Sequence, residues 1–282
     1  MKKGCLVLLV ILFLLLALSA TIALLQKNVP LGEKVAVVRI EGPIMDSKTT
    51  IEEIRDYVKN PSVKAIILRV DSPGGAVAPS QEIYEEVRKA VSKKKVVVSM
   101  GSLAASGGYY ISAPASRILA NPGTLTGSIG VIMEIPNIEG LMGKIGVKTE
   151  VIKSGRHKDI ASIFRGIGKE ERIILQSVLD DVHEQFIKAV AEGRKMLPDD
   201  VRKLADGRIF TGRQAVEVGL VDELGDLEDA VKVAAKLSGI KGEPEVVEKK
   251  ERTSIMDFLR GQFPQQLSDL FPTMKIKYIL AP

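Results

Sequence analysis

The sequence predicts an α/β domain on a mostly parallel sheet. Two observations carry this. Near-continuous β-branched apolar runs alternate with segments of helical periodicity, and the junctions after those runs are rich in glycine. A strand covered on both faces has no polar face to show, so it reads as an unbroken apolar run. Val35–Ile40, Val63–Val70 and Val96–Met100 have that character. Between them, Thr50–Val58 reads as a helix. Ser80–Val91 is a second, with Ile83, Val87, Ala90 and Val91 on one face. Leu103–Ser112 contains small residues and a helix start. Arg117–Ala120, Ser128–Met133 and Lys148–Ile152 are shorter strand candidates.

The second half is more helical. Lys169–Met196 is a long amphipathic helix with Ile173, Ile174, Val178, Val182, Phe186, Ile187 and Val190 at core spacing. Asp199–Ala205 and Arg213–Val218 are short helices. Asp226–Leu237 is another, stopped by Ser238-Gly239. Gly242–Lys250 reads as a charged linker, and Ile255 to Phe271 as an amphipathic tail suited to a subunit contact or a membrane surface. No internal repeat is visible.

The N-terminus has a different character. Lys2 and Lys3 precede an uncharged run from Gly4 to Leu25. About 20 helical residues span the roughly 30 Å of a bilayer core. The run exceeds the apolar stretch of a cleaved signal peptide, so an uncleaved anchor, inserted through residues 5–25, is expected. The two lysines then stay in the cytoplasm and the remainder lies outside, in the cell membrane's outer space. The expected division is 1–28 anchor, 29–34 linker, 35–240 α/β domain, and 241–282 charged linker and tail.

Composition narrows the chemistry. The chain has 282 residues, 45% apolar and 27% charged, which excludes a disordered chain. One cysteine, Cys5, excludes an intrachain disulfide and a cysteine zinc site. Only two histidines, His157 and His183, leave little for a metal centre, so no metal and no cofactor are expected. The net charge of +5 is spread among interleaved acids, and aromatics are 4%, so no nucleic-acid partner is expected. No phosphate-binding loop or dinucleotide fingerprint is present.

Three junctions could carry chemistry. Asp71-Ser72-Pro73-Gly74-Gly75 follows a strand, and its glycines can turn N–H groups outward toward an oxyanion. In Gly101 to Tyr110, Ser106 lies among small residues at a helix start, where it is either a nucleophile or an N-cap. Lys153-Ser154-Gly155-Arg156-His157-Lys158-Asp159 offers three bases, Lys153, His157 and Lys158, for a serine that needs one. A lysine base must be neutral when it acts, so Asp159 beside Lys158 has to point elsewhere. His183, beside Glu184, reads as an edge histidine.

Together, DSPGG (Asp71–Gly75), AASGGYYI (Ala104–Ile111), GTLTGSIGV (Gly123–Val131) and KSGRHKD (Lys153–Asp159) resemble the signal peptide peptidase A family in its short single-repeat form. The resemblance runs from about Val35 to Leu237. It implies a Clp- and crotonase-like spiral of ββα units and a serine endopeptidase with a serine–lysine dyad. The nucleophile falls on Ser106 and the general base on Lys158. The oxyanion donors fall on Gly74 and Gly107, and the hydroxyl that orients the lysine falls on Ser128. It also implies a homo-oligomeric ring with the dyad shared between subunits, acting on peptides such as cleaved signal peptides. Two alternatives remain: a same-fold membrane peptidase acting on a stomatin-like partner, and an acyl-CoA enzyme of the crotonase type.

Overall fold

The structure, a computed structural model, describes residues 33–249, Phe13 and Leu14, and the backbone of Ile276–Ile279. The expected anchor, Gly4–Leu25, and the tail, Ile255 to Phe271, fall outside the described residues apart from Phe13 and Leu14. Among the described residues no helix is long and apolar enough to cross a membrane.

The central strands are β1 (Lys34–Glu41), β2 (Val63–Ser72), β4 (Lys95–Ala105) and β5 (Arg117–Ala120). They lie side by side and parallel. Helix α1 (Lys48–Lys59) links β1 to β2, and α2 (Val77–Val91) leads into β4. The short β3 (Gly74–Ala76) lies between β2 and α2. Both faces of the sheet are covered, as the unbroken apolar runs require. Val35, Val37, Ala65, Ile67 and Val97 meet Ala230 and Ala234 of a C-terminal helix, Leu227–Ser238. The alternate residues Ala36, Val38, Ile66, Leu68, Val70, Val98 and Met100 face Ile54, Ile83, Val87 and Phe186 on the other side.

From the end of β4 onward the chain departs from expectation in four places. Leu103–Ala105, expected to open a helix, continues β4, and the helix that follows is the short α3 (Gly107–Ser112). The Ser128–Met133 strand is only β7 (Ile132–Met133), while Leu125–Gly127 forms β6, pairing parallel with Leu103–Ala105. Lys148–Ile152 is irregular. Glu245–Glu248, inside the expected linker, is an edge strand, β10, parallel to β1. Two physical reasons recur. The threonine-glycine segment satisfies its hydroxyls on β4, with Thr124 Oγ1 donating to Gly101 O and Thr126 Oγ1 to Ala104 O, each at 2.7 Å. The charged 245–248 segment solvates one face and anchors through Lys34–Glu245 and Arg39–Glu248 ion pairs.

The long helix α5 (Lys169–Arg194) forms as expected, but its apolar stripe is only half used. Phe186, Ile187 and Val190 are buried, whereas Ile173 is 70% exposed and Val178 is also exposed. Ahead of it, residues 134–168 form an arm around the short α4 (Glu139–Lys144). The hydrogen bonds and ion pairs described for this arm run within residues 134–172. A second sheet joins β3, β11 (Ile276–Ile279) and β7 in antiparallel order.

Candidate active site

The site lies beyond the carboxyl ends of β2, β4 and β6, where sheets of this type place their crevices. Strand β4 ends at Ala105 and α3 begins at Gly107. Ser106 alone makes the turn between them, with φ 52° and ψ −116°. A non-glycine residue at positive φ costs about 1–3 kcal/mol, and the surroundings must hold it there. They do so through the backbone. Ser106 N donates to Gly127 O at 2.8 Å, and Tyr110 N donates to Ser106 O at 2.8 Å. Inside α3, Tyr109 is fully buried and its hydroxyl donates to Leu220 O at 2.8 Å. Burial pushes that phenol far above its ordinary pKa, so it is a neutral donor. Tyr110 packs between Tyr84 and Phe186, with ring centroids 4.9 Å apart in each pair.

The strain fixes an unusual side chain. Ser106 is 1% exposed and its Oγ has no hydrogen-bond partner. Buried hydroxyls are almost always paired, so an orphaned one is waiting for a group. An N-cap role is excluded as well, because Ser106 makes no capping bond to α3.

Glycines crowd this serine from two sides. A Cβ on Gly107 would lie 2.7 Å from Ser80 Oγ and 3.1 Å from Gly74 Cα. The two backbones therefore approach as closely as only glycine permits. At Gly75 a Cβ would lie 2.0 Å from Ile44 O, because Ile44 bonds to Gly74 O and Ala76 N on that edge. Strand alternation then turns the Gly75 N–H toward the opposite edge, where β11 runs in register, Tyr278 opposite Gly75. The Gly74 N–H donates to Ser72 Oγ at 3.1 Å, and Ser72 Oγ donates to Gly42 O at 2.7 Å. Asp71, the first residue of that motif, is a bracket: its Oδ1 accepts from Leu103 N at 3.0 Å, tying β2 to β4.

Ser128 stands beside Ser106. Ala105 and Gly127 are register partners on β4 and β6, so each serine follows one of a matched pair. Ser128 also has positive φ, 50°, and its N–H donates to Arg208 O at 2.8 Å. The structure thus brings Gly74, Gly107, Ser106 and Ser128 together.

Lys158 is not brought to them within one chain. It is exposed on the arm, and Ser106 Oγ has no partner. Of the four Lys and Arg side chains from 153 to 165, Lys158 is the one without a carboxylate partner among the described residues. Lys153 and Arg165 hold Asp159, Arg165 also holds Glu171, and Arg156 meets Glu170. Asp159 therefore does point away from Lys158, as a lysine base requires. The Arg165 guanidinium first, then Lys153, holds the Asp159 carboxyl far below the usual range. Arg165, together with the Gly168 N–H, brings Glu171 down to about 2. His157 Nε2 lies 3.5 Å from Glu170. Sequence reasoning missed Arg165, Thr124 and Thr126. The arginine's signal was its place six residues from each of two acids, and that of the threonines was their alternation in Thr124-Leu125-Thr126.

A strained, unpaired serine at a strand end, beside closely packed glycine backbone, defines a serine hydrolase on an α/β fold. Residues 88–241, which include Ser106, Ser128 and Lys158, match the family described as Peptidase family S49. A putative protease of Synechocystis is 46% identical over 217 residues, covering 77% of this chain and 78% of the relative. A putative signal peptide peptidase SppA of Enterococcus faecium is 41% identical over 183 residues, covering 64% and 53%. Protease 4 of Salmonella typhi is 39% identical over 261 residues, covering 86% of this chain but 41% of its own length. The chain belongs to peptidase family S49, as a short form of the signal peptide peptidase A type, and is a serine endopeptidase. Its mixed α/β architecture with a parallel sheet fits the Clp-like fold of that family.

Proposed function

We propose that this protein is a membrane-anchored endopeptidase that clears residual signal peptides and other short apolar peptides in or near the membrane, using Ser106 as nucleophile and Lys158 as general base. The observation that carries this reading is the buried, partnerless Ser106 Oγ at φ 52°. The anchor is the apolar run through residues 5–25, with the peptidase domain outside the cytoplasm.

Substrate docks as an extended strand at the edge of Gly74–Ala76, the position that β11 holds in the structure. Main-chain pairing there serves any sequence and favours apolar, unfolded peptides. Ser106 Oγ attacks the scissile carbonyl carbon while Lys158 Nζ, neutral, takes the hydroxyl proton. The carbonyl oxygen becomes an oxyanion facing the N–H groups of Gly107 and Gly74, the latter released from Ser72 Oγ. The C–N bond breaks, Lys158 returns the proton to the departing amine, and an ester of Ser106 remains. Water, deprotonated by the Lys158 amine, attacks that ester; the acyl–oxygen bond breaks, Lys158 returns the proton to Ser106 Oγ, and a carboxylic acid leaves. Ser128 Oγ accepts from Nζ and orients it. Because Lys158 is exposed on the arm and distant in bonding from Ser106, the base comes from a second copy, in a ring of head-to-tail contacts.

The test is hydrolysis of apolar fluorogenic peptides by the detergent-solubilised full chain. Ser106→Ala and Lys158→Ala should each lower kcat at least about 1,000-fold, with unchanged melting. His157→Ala and Lys153→Ala should retain activity. Abolition by His157→Ala would move the base to that residue. Ending the chain before Ile276 should lower KM for long peptides by vacating the strand position. An unchanged KM there would remove the docking assignment but leave the dyad intact.

A further inference from the structure

One pocket near the site, of mixed polar and apolar lining, has no role in the chemistry above. It holds about 470 Å³ and is lined by Ser128, Val131, Gln176, Asp180, His183 and Asp206, among others. Ser128, the hydroxyl assigned to orient the lysine, therefore belongs both to the active site and to this pocket. On its α5 wall, His183 Nε2 is buried and has no hydrogen-bond partner. A buried ring nitrogen left unpaired calls for a group that the single chain does not supply. Next to it, Asp180 accepts from Gln176 Nε2 at 2.7 Å but meets no Lys or Arg among the described residues, whereas Asp206 is occupied by Arg208. Ile173, one turn before Gln176 on the same helix, is exposed.

The arm has the complementary features. Its 153–158 loop carries Lys153, Arg156 and Lys158; Asp159 is turned toward Lys153 and Arg165, Glu170 meets Arg156 at the surface, and Lys158 has no carboxylate partner among the described residues. Its apolar residues Leu141, Ile145, Val151 and Ile152 are exposed, Ile152 completely. The two surfaces are different patches of the same chain, which is the condition for a head-to-tail ring.

We infer that this pocket receives the 153–158 loop of a second copy, and that His183 is the residue that positions it. His183 Nε2 hydrogen-bonds the incoming loop, Asp180 joins the exposed pair that Arg156 of the partner subunit makes with its own Glu170, and Lys158 of the partner subunit is thereby set against Ser128 and within reach of Ser106. His183 does not touch substrate; it acts through the lysine. The inference rests on the shared dyad proposed above, so the test must separate the two.

The full chain carrying Cys5→Ser is used throughout. Ser106→Ala and Lys158→Ala chains are co-expressed first. A shared dyad restores about a quarter of wild-type activity, the chance that an intact serine meets an intact lysine across a head-to-tail contact. His183→Leu is then added to either chain. Linked to the intact Ser106, it should lower kcat at least about ten-fold with KM unchanged. Linked to the intact Lys158, its effect should be several-fold smaller. His183→Gln, which keeps a polar group at the Nε2 position, should recover most of the loss. Separately, Arg156→Cys with Asp180→Cys, joined by a short bis-maleimide, should give a ladder of covalent multimers that neither single variant gives.

Restored activity without a ladder and without dependence on which chain carries His183→Leu overturns the pocket and leaves the shared dyad standing. A ladder without restored activity supports the docking and overturns the dyad. Loss of both overturns both.

Discussion

The cradle around Ser106 and the arm that carries Lys158 are built on opposite principles. In the cradle, backbone bonds to Gly127 and Tyr110 hold a strained residue, threonine hydroxyls pin β6 to β4, and the helix behind is wedged by Tyr84, Tyr110 and Phe186. That packing is part of the main core. In the arm, apolar side chains face outward and order comes from one arginine clasping Asp159 and Glu171. The difference teaches where each half of the chemistry gets its precision. The proposed nucleophile, Ser106, is positioned by folding itself; the proposed base, Lys158, would be positioned by a local ionic clamp and by whatever the arm docks against. Damage to the arm should therefore cost activity with little stability, and damage to the cradle should cost both.

The largest effect that would break this comparison is at Arg165. Arg165 donates to Asp159 Oδ2 at 2.9 Å and to Glu171 Oε2 at 2.8 Å. Arg165→Met removes the clamp, and a loop displaced by about 1 Å costs on the order of 100-fold in rate. Asp159, then held by Lys153 alone, gains freedom to turn toward Lys158 and favour its charged form, so the rising limb of the pH–rate profile should move to higher pH. Melting should hardly change. A loss of melting temperature in proportion to activity would mean that the arm is part of the cooperative core.

Gly75→Ala tests the other side. Its Cβ would meet Ile44 O at 2.0 Å, so Ile44 or β3 must shift. Overpacking of this kind costs roughly 1–3 kcal/mol, and the displaced strand edge should take peptide binding with it. Thermal melting and KM should both worsen. A variant with normal melting and normal KM would show that the β3 edge is not the docking strand.

The two regions also differed in how legible they were. The central strands were readable because burial on both faces leaves few polar positions, and Val35–Ile40, Val63–Val70 and Val96–Met100 each lie inside an observed strand. The Asp226–Leu237 helix was readable from its ends: Asp226 caps it and Gly239 closes it in the left-handed conformation. The serine junctions were readable as motifs, but their geometry was not. Nothing local says that Leu103–Ala105 stays extended, since that depends on Leu125–Gly127 arriving from 22 residues later. Lys148–Ile152 misled for the converse reason. Its β-branched residues suit a strand, yet Val151 and Ile152 are exposed and find no strand to pair with among the described residues. The long helix misled in the same way at Ile173 and Val178, whose periodicity predicts burial that a single chain does not supply.

The smallest expected effect separates arm from cradle without a mutation. Arg165 lowers the Asp159 and Glu171 carboxyls in the folded arm, Glu171 from 4.5 to about 2. A carboxyl depressed by folding contributes stability that is fully present above its unfolded value and is lost as pH falls through its folded value. For Glu171 that window runs from about pH 4.5 down to about pH 2. The clamp should therefore loosen progressively across it as both acids take up protons, and Arg165 loses its two partners. The cradle holds its serine with backbone bonds and apolar packing that do not titrate there, so it should persist further into acid. Pulse proteolysis with pepsin, active in this range, should cut within 134–168 before circular dichroism reports loss of the sheet. Simultaneous loss of both signals would make arm and cradle one cooperative unit, and would assign the positioning of Lys158 to the core rather than to the clamp.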